Sequence, residues 1–429
     1  LALPISLAAF ITMCLPIFYY TPETVFPGIA ALPVCLGTLA LILIGEHHQT
    51  LMHRTISNPL FVWIGLASYS IYLWHWPILT LVDFLPFAVG STKMIVVQAA
   101  VVFSIAIGFA SLYIVEKPLR NRSRVKVKHI WFGTAFGTST LAIAASWIIM
   151  QQGATFRFSD EFRTLLANAQ NEFHTSCASF SEKSIYKRCR IGDGESPASF
   201  ALIGDSHARS FSWAVSEAAK SQGVSGFVYE AGACPPLLPV ETETNCGQHR
   251  STLFEEIVND DSIELVILSA FWSHYLETGN RFYLGNHRRR SGFEVSDYAE
   301  LFPATVKHLE AHGKRVIFLQ DTPTLSYNLP RAALFEHAFG IAIPDPPTLE
   351  SYKRLNEIPD RMILSSKTQG AEFIETGTMM CDPDCLIQMN DRLLYYDSHH
   401  ITRFASEKIF TEYFFRKVFA PSEMGESDH

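Results

Sequence analysis

Charge is scarce over the first third of this 429-residue chain. Before residue 150 stand 8 Lys and Arg against 4 Asp and Glu, a net of +4; the remainder holds 26 against 38, a net of −12. So few charges over that length excludes an ordinary soluble domain, which carries about 25% charged residues. A Lys- or Arg-rich face is also missing from a chain whose overall charge is −8, which argues against a nucleic-acid partner. A hydrophobic content of 48% excludes intrinsic disorder. Neither paired C-x-x-C spacing nor H-E-x-x-H occurs, so no metal site is expected. The first residues lack the charged region and cleavage site of a removable signal peptide.

What the first 150 residues do contain is five apolar runs, Leu3–Tyr19, Gly28–Ile44, Pro59–Leu81, Met94–Val115 and Ile130–Met150. Each approaches the ~20 residues that cross a bilayer as a helix. Basic residues gather in two connections, His47, His48, His53 and Arg54 in one, and Lys117, Arg120, Arg122, Arg124, Lys126 and Lys128 in the other. The intervening connections, Thr21–Pro27 and Val82–Lys93, hold one cation between them. Positive loops stay cytoplasmic, so an odd number of spans delivers everything after Met150 to the far side. Tyr69, Tyr72, Trp74 and Trp76 are expected to form an interfacial anchor group, with the lipid bilayer as partner.

Cysteine placement bears on that topology. Cys14 and Cys35 sit within spans, and the other six fall after residue 150 as close pairs, Cys177/Cys189, Cys234/Cys246 and Cys381/Cys385. An even set of six in an oxidising compartment reads as three disulfides, with a zinc site as the competing reading.

Beyond residue 195 short apolar runs alternate with helix-like stretches. Strands are expected at Ser199–Ile203, Val224–Tyr229, Glu264–Leu268, Arg315–Leu319 and Ala371–Ile374, and helices at Ser210–Ser221, Tyr298–His312 and Glu350–Thr368. This alternation predicts a mainly parallel sheet covered on both faces, an α/β domain. Gln151–Gly194 is expected to be an extension joining the membrane part to that domain. In such sheets ligands bind beyond the carboxyl ends of the strands, which is where chemistry is sought.

The first expected strand runs into Gly204-Asp205-Ser206-His207. Glycine permits a sharp turn, and a following helix offers free N–H groups beside the serine hydroxyl, suited to an oxyanion. Ser206 as a simple helix cap is the equal alternative. Near the other end, Asp397-Ser398-His399-His400 sets a carboxylate three residues before an imidazole, the pair a serine needs for activation. His399 is a local rival to His400, and a surface turn is the bland reading of the pair.

Gly204-Asp205-Ser206-His207 together with Asp397-Ser398-His399-His400 resembles the SGNH/GDSL hydrolase superfamily. The string Ser68-Tyr69-Ser70-Ile71-Tyr72-Leu73-Trp74-His75-Trp76-Pro77, with Ser111 through Arg120, resembles the last transmembrane helices of acyltransferase family 3. The combination is similar to bacterial fused O-acetyltransferases that modify surface polysaccharides such as O-antigen. The resemblance implies a partial acyltransferase region over 1–128, an additional span over 129–150, a linking extension over 151–194 and an SGNH-like three-layer domain over 195–429. It implies Ser206 as nucleophile, His400 as general base and Asp397 as its orienting carboxylate, with the Ser206 and Gly232 N–H groups as oxyanion donors. Gly232 as a turn glycine is the alternative.

The superfamily's Asn after the third strand is absent from Leu268-Ser269-Ala270-Phe271-Trp272-Ser273-His274, which puts the third oxyanion donor in doubt. Trp272 and His207 become candidates to shape the acceptor pocket, a buried core tryptophan being the other reading of Trp272. In the membrane part His75 and Glu116 are ionisable candidates, set against an interfacial role for His75 and a helix-end role for Glu116, Lys117 and Arg120. The family carries further spans with its essential His and Arg residues in the earlier ones, so this chain is expected to be the C-terminal portion of a longer protein. The implied activity is O-acyl, most simply O-acetyl, transfer to an exported polysaccharide or lipid-linked glycan. No cofactor is expected to be bound, and acetyl-CoA is the implied cytoplasmic donor. The implied location is the bacterial inner membrane, multi-pass, with the catalytic domain in the periplasm. An extracytoplasmic esterase and a non-catalytic glycan-binding protein are the alternatives.

Overall fold

The computed structural model describes residues 2–21, 24–25, 27–86, 90–120, 125–151, 153, 155–169, 177–179, 184–238, 245–276, 300–365 and 370–419. Leu1, Arg122 and Arg124 lie outside the described residues, as do parts of the connections expected at Thr21–Pro27 and Val82–Lys93. So do the start of the helix expected at Tyr298, the end of that expected at Thr368, and parts of the extension Gln151–Gly194. Two compact units, Leu1–Arg157 and Phe158–His429, make up the chain.

The first unit is helical, and among the described residues four stretches are long and apolar enough to cross a membrane: Ala2–Tyr19, Ile29–His47, Thr92–Arg120 and Val127–Met150. The first is interrupted at Leu15, where Pro16 opens a new turn after the helix Ala2–Cys14. The run expected as a third span forms a 26-residue helix, Pro59–Phe84, but is not among the four. Tyr69, Tyr72, Trp74, His75, Trp76 and Pro77 dilute its apolarity, so length alone qualifies it. It packs along Gly90–Ser111, where Gly108 lets the backbone of Ile71 approach so closely that a Cβ would stand 2.8 Å from its Cα. The helix then loosens into a π-turn over Leu112–Glu116.

The second unit is built on a seven-stranded sheet. Its strands are β1 (Cys177–Ser179), β2 (Lys187–Gly192), β3 (Ala198–Gly204), β4 (Ser225–Glu230), β5 (Leu265–Ser269), β6 (Arg315–Leu319) and β7 (Glu372–Ile374). Their spatial order is β1-β2-β4-β3-β5-β6-β7. From β4 to β7 every pairing is parallel, while β1 and β2 add an antiparallel edge. The stretch 151–194, expected to be only a linking extension, therefore supplies two strands of the sheet. Its charged, short runs gave no apolar signal because they pair at the edge, half wet.

Side chains of the central strands divide the core by their period of two. Ala201, Ile203, Val266, Leu268, Val316 and Phe318 face one side, in a cluster with Leu253 and Phe254 of the helix Asn245–Asn259 and Phe302 of Leu301–Glu310. On the other side Phe200 packs against Phe419, ring centroids 5.0 Å apart, and the helix Ser206–Ser221 meets the C-terminal turns through Phe211, Phe410 and Phe414. Helices on both faces make three layers, and the continuous apolarity of β3, β5 and β6 follows from burial on both sides. The helix expected at Ser210 begins one turn earlier, at Ser206.

Among the parallel strands the chain leaves β3 first to one side, to β4, and then to the other, to β5. Between β3 and β5 lies a topological switch point, where a crevice opens beyond the strand ends.

Candidate active site

Ser206 follows β3 at that switch point. Gly204 is required there, because a Cβ would lie 1.6 Å from the carbonyl oxygen of Ser269 on β5. Asp205 caps the helix and accepts from the His207 N–H at 2.8 Å with one oxygen. Its other oxygen accepts from the Phe271 N–H at 3.0 Å and the Tyr275 hydroxyl at 2.9 Å. Burial raises the Asp205 carboxyl despite these donors. Its work is to fix the turn that presents Ser206 at the rim.

The second half of the site is the turn after Tyr395. Asp397 Oδ1 accepts from the backbone N–H groups of His399 and His400, at 2.9 and 2.8 Å, and Tyr396 N–H donates to the His400 carbonyl at 3.1 Å. Asp397 Oδ2 meets His400 Nδ1 at 2.6 Å, and His400 Nε2 meets Ser206 Oγ at 2.6 Å. Burial alone would raise the Asp397 carboxyl, but the hydrogen bond and charge of His400 and the two backbone donors outweigh it and bring it to about 2. An ionised carboxylate only accepts, so Nδ1 carries the imidazole proton and the lone pair of Nε2 faces the Ser206 hydroxyl.

His399 is not the residue that meets Ser206. Its Nδ1 lies 3.1 Å from His207 Nε2, and burial, with the neighbouring His400, lowers it to about 4. His207 is 1% exposed, and burial takes it well below the usual imidazole range. The Phe271 ring stacks on both, centroids 4.5 Å away in each case, with His274 on Phe271 at 5.1 Å. Phe271 thus fills the place after the third parallel strand where an Asn was sought, and its own N–H is committed to Asp205.

Trp272 does not line the site. It is 1% exposed, its indole N–H donates to the Leu319 carbonyl at 2.8 Å, and it packs on Phe302 and Phe318. Its backbone and that of Ser273 are held by Asp321, at 2.7 and 2.8 Å, with the Ser273 hydroxyl at 2.5 Å. Gly232 sits in an exposed turn after β4, ahead of Ala233 at φ 55°. A Cβ on Gly232 would meet nothing within 4 Å.

All three cysteine pairs are bonded. Cys177–Cys189 joins directly opposed residues of β1 and β2, Cys234–Cys246 ties the turn after β4 to the next helix, and Cys381–Cys385 closes a short loop. Cys14 and Cys35 are free. Within the first unit, His75 donates from Nδ1 to the Tyr72 carbonyl of its own helix at 2.5 Å. Glu116 accepts from the buried Ser70 hydroxyl at 2.7 Å and from Arg120 at 2.8 Å, tying the π-turn to the helix Pro59–Phe84.

Arg209, Glu230 and Tyr396 join the site through the fold and belong to neither sequence motif. Arg209 Nη2 donates to the Tyr396 hydroxyl at 3.2 Å, and Nη1 lies 3.3 Å from Glu230 Oε1. The Tyr396 and His400 rings are parallel to within 1°, centroids 5.1 Å apart. One signal existed: Arg209 stands three residues after Ser206, hence on the same helix face.

Fold and site define an α/β domain of the SGNH class with a Ser–His–Asp constellation at its switch point, preceded by apolar helices. Residues 174–413 match the family described as the SGNH domain fused to AT3 domains, and the chain belongs to that family. Among solved structures it is similar to the periplasmic domain of a Salmonella ser. Paratyphi A lipopolysaccharide acetyltransferase, at 18% identity and TM-score 0.39, covering 51% of this chain and 82% of that one. It is also similar to a Bacteroides fragilis protein described as an acylhydrolase, at 13% identity and TM-score 0.31, covering 53% and 93%. No curated protein matches it.

Proposed function

We propose that this chain is an O-acyltransferase, acetyl being the acyl group, acting on a hydroxyl of an exported bacterial surface glycan. Its membrane helices sit in the inner membrane and its α/β domain in the periplasm, with acetyl-CoA as the cytoplasmic source of the acyl group. The observation that carries this reading is the continuous line from Asp397 through His400 to Ser206, with both contacts at 2.6 Å.

In the first half-reaction His400 Nε2 takes the Ser206 proton as Oγ bonds to the acyl carbon. The Asp397 carboxylate stabilises the imidazolium so formed. Backbone N–H groups at Ser206 and Gly232 face the developing oxyanion, and His400 returns its proton to the leaving group. In the second, a sugar hydroxyl gives its proton to His400 and attacks the acyl-serine. Collapse breaks the Ser206 ester bond as His400 returns the proton to Oγ, leaving an acylated sugar and a free Ser206 hydroxyl. A domain with a net charge of −12 outside the membrane part suits a neutral glycan better than a polyanion.

The test is Ser206→Ala in cells making the full-length protein. Acetylation of the surface polysaccharide is expected to disappear; acetylation at the wild-type level overturns the reading. Cells that instead gain acetyl groups when the gene is deleted, with a purified chain that releases acetate, identify water as the acceptor and the protein as an esterase.

A further inference from the structure

Apart from Ser206, the residue it must activate, the His400 ring hydrogen-bonds to the Asp397 side chain. The backbone of its turn is fixed, with Leu325 N–H on the Ser398 carbonyl at 2.7 Å and the Thr322 hydroxyl on the His399 carbonyl at 2.9 Å. The side chain meets Asp397 at Nδ1 and Ser206 itself at Nε2, and the rings of His399 and His207 lie beside it in tilted contacts, centroids 4.0 and 5.1 Å away. A swing of the His400 ring carries Nε2 away from Ser206 Oγ, and misplacement of a reacting group by ~1 Å costs about 10²-fold in rate.

Of the His399, His207 and Tyr396 rings, it is that of Tyr396 that lies parallel to the imidazole, to within 1°. The Tyr396 hydroxyl is held by Arg209, with a further hydrogen bond from Ser210 of the same helix. Arg209 in turn is fixed by Glu230, both side chains being 14% and 10% exposed. Glu230 ends β4 in direct register with Gly204, two residues before Ser206. A buried ion pair is a weak source of stability, and this one spans the nucleophile's helix, the sheet and the Asp–His turn.

We propose that Arg209 is a positioning residue of this site: through the Tyr396 hydroxyl it fixes the plane of the His400 imidazole and so aims Nε2 at Ser206. The proposal rests on the acyl-transfer reading, because it needs Ser206 to be the nucleophile. Arg209 and Tyr396 act as one unit, neither touching the substrate.

The experiment follows diisopropyl fluorophosphate on the full chain in detergent. The Ser206 Oγ–P bond forms, P–F breaks, His400 takes the serine proton and fluoride leaves, so the maximal inactivation rate reads His400's aim and the half-saturating concentration reads reagent binding. Tyr396→Phe keeps the ring and the Arg209–Glu230 pair and removes only the anchor. It is expected to lower the maximal rate about tenfold with the half-saturating concentration unchanged. Arg209→Met, which leaves the Ser210 contact, is expected to lower the rate by no more than Tyr396→Phe does, and the double variant to lose no more than Tyr396→Phe alone. Full wild-type rate in Tyr396→Phe, a change confined to the half-saturating concentration, or losses that multiply in the double variant each overturn the proposal. A wild-type chain that takes no label at Ser206 overturns the acyl-transfer reading and the proposal with it.

Discussion

The imidazole of His400 meets the hydroxyl of Ser206 across 194 positions of sequence, Nε2 to Oγ at 2.6 Å. Two structures built at opposite ends of the domain make that contact. One is a glycine-dependent turn out of β3, the other a seven-residue loop closed by the bridge between Tyr395 and Ile401. Both must be rigid, because a hydroxyl and an imidazole that only visit one another do not share a proton efficiently.

Asp397→Asn tests the tautomer. An amide that turns its NH2 toward Nδ1 moves the imidazole proton to Nε2, which then has no lone pair for Ser206. Fluorophosphonate labelling of Ser206 is expected to slow by about 10⁴-fold with the fold intact, the magnitude of the analogous change in a serine protease. Labelling within tenfold of wild type means that Asp397 does not orient the base.

The alternation of apolar runs and the two polar motifs were legible in the sequence because both obey local rules, strand burial on two faces and turn chemistry at strand ends. Five parallel strands fell where apolar runs stood, from Ala198 to Ile374. What was not legible is what depends on partners distant in sequence. The edge strands around Cys177 and Lys187 carry no apolar run and exist because β4 offers a free edge. Arg209 reads as a helix-surface cation until the fold sets Tyr396 and Glu230 beside it. Trp272 stood next to the expected chemistry in sequence, yet the bend after β5 turns it into the core and leaves Phe271 at the rim.

Two glycines of the site separate sharply. Gly204→Ala is expected to prevent folding of the α/β unit, since the obstructing Ser269 oxygen belongs to a central strand that cannot yield. Gly232→Ala meets open space and keeps its N–H, so it is expected to fold and label like wild type. Circular dichroism and labelling of the two variants check this; a folded, active Gly204→Ala protein contradicts the close approach of β3 and β5.

Thiol counting checks the covalent frame. Of eight cysteines, only Cys14 and Cys35 are expected to react with maleimide in the native chain, and all eight after unfolding and reduction. Replacing both Cys234 and Cys246 by Ala opens a loop with sequence separation 12, for which chain entropy predicts a loss of about 3 kcal/mol. An unchanged denaturation midpoint would assign that bridge no share in stability.

Asp321 and Asp397 link stability to pH at opposite ends of the scale. Asp321 is buried beneath the Trp272–Ser273 turn, and burial raises its carboxyl to about 7 against three hydrogen-bond donors that lower it. The folded chain therefore holds a proton that the unfolded chain has released between about pH 4 and 7. That contribution is complete below pH 4 and is lost as the pH rises through 7. Asp397, lowered to about 2, contributes above pH 4 and loses its contribution as the pH falls through 2. Other groups titrate over the same range, His207 and His399 among them with the opposite sign to Asp321, so the difference from wild type is the quantity to measure. In denaturant titrations the stability gap between wild type and Asp321→Asn is expected to narrow from pH 5 to pH 8. The gap for Asp397→Asn is expected to narrow as the pH falls from 4 to 2. An Asp321→Asn gap that widens toward pH 8 would mean that the Asp321 carboxylate is better accommodated ionised than protonated, and that the Trp272 and Ser273 donors outweigh its burial.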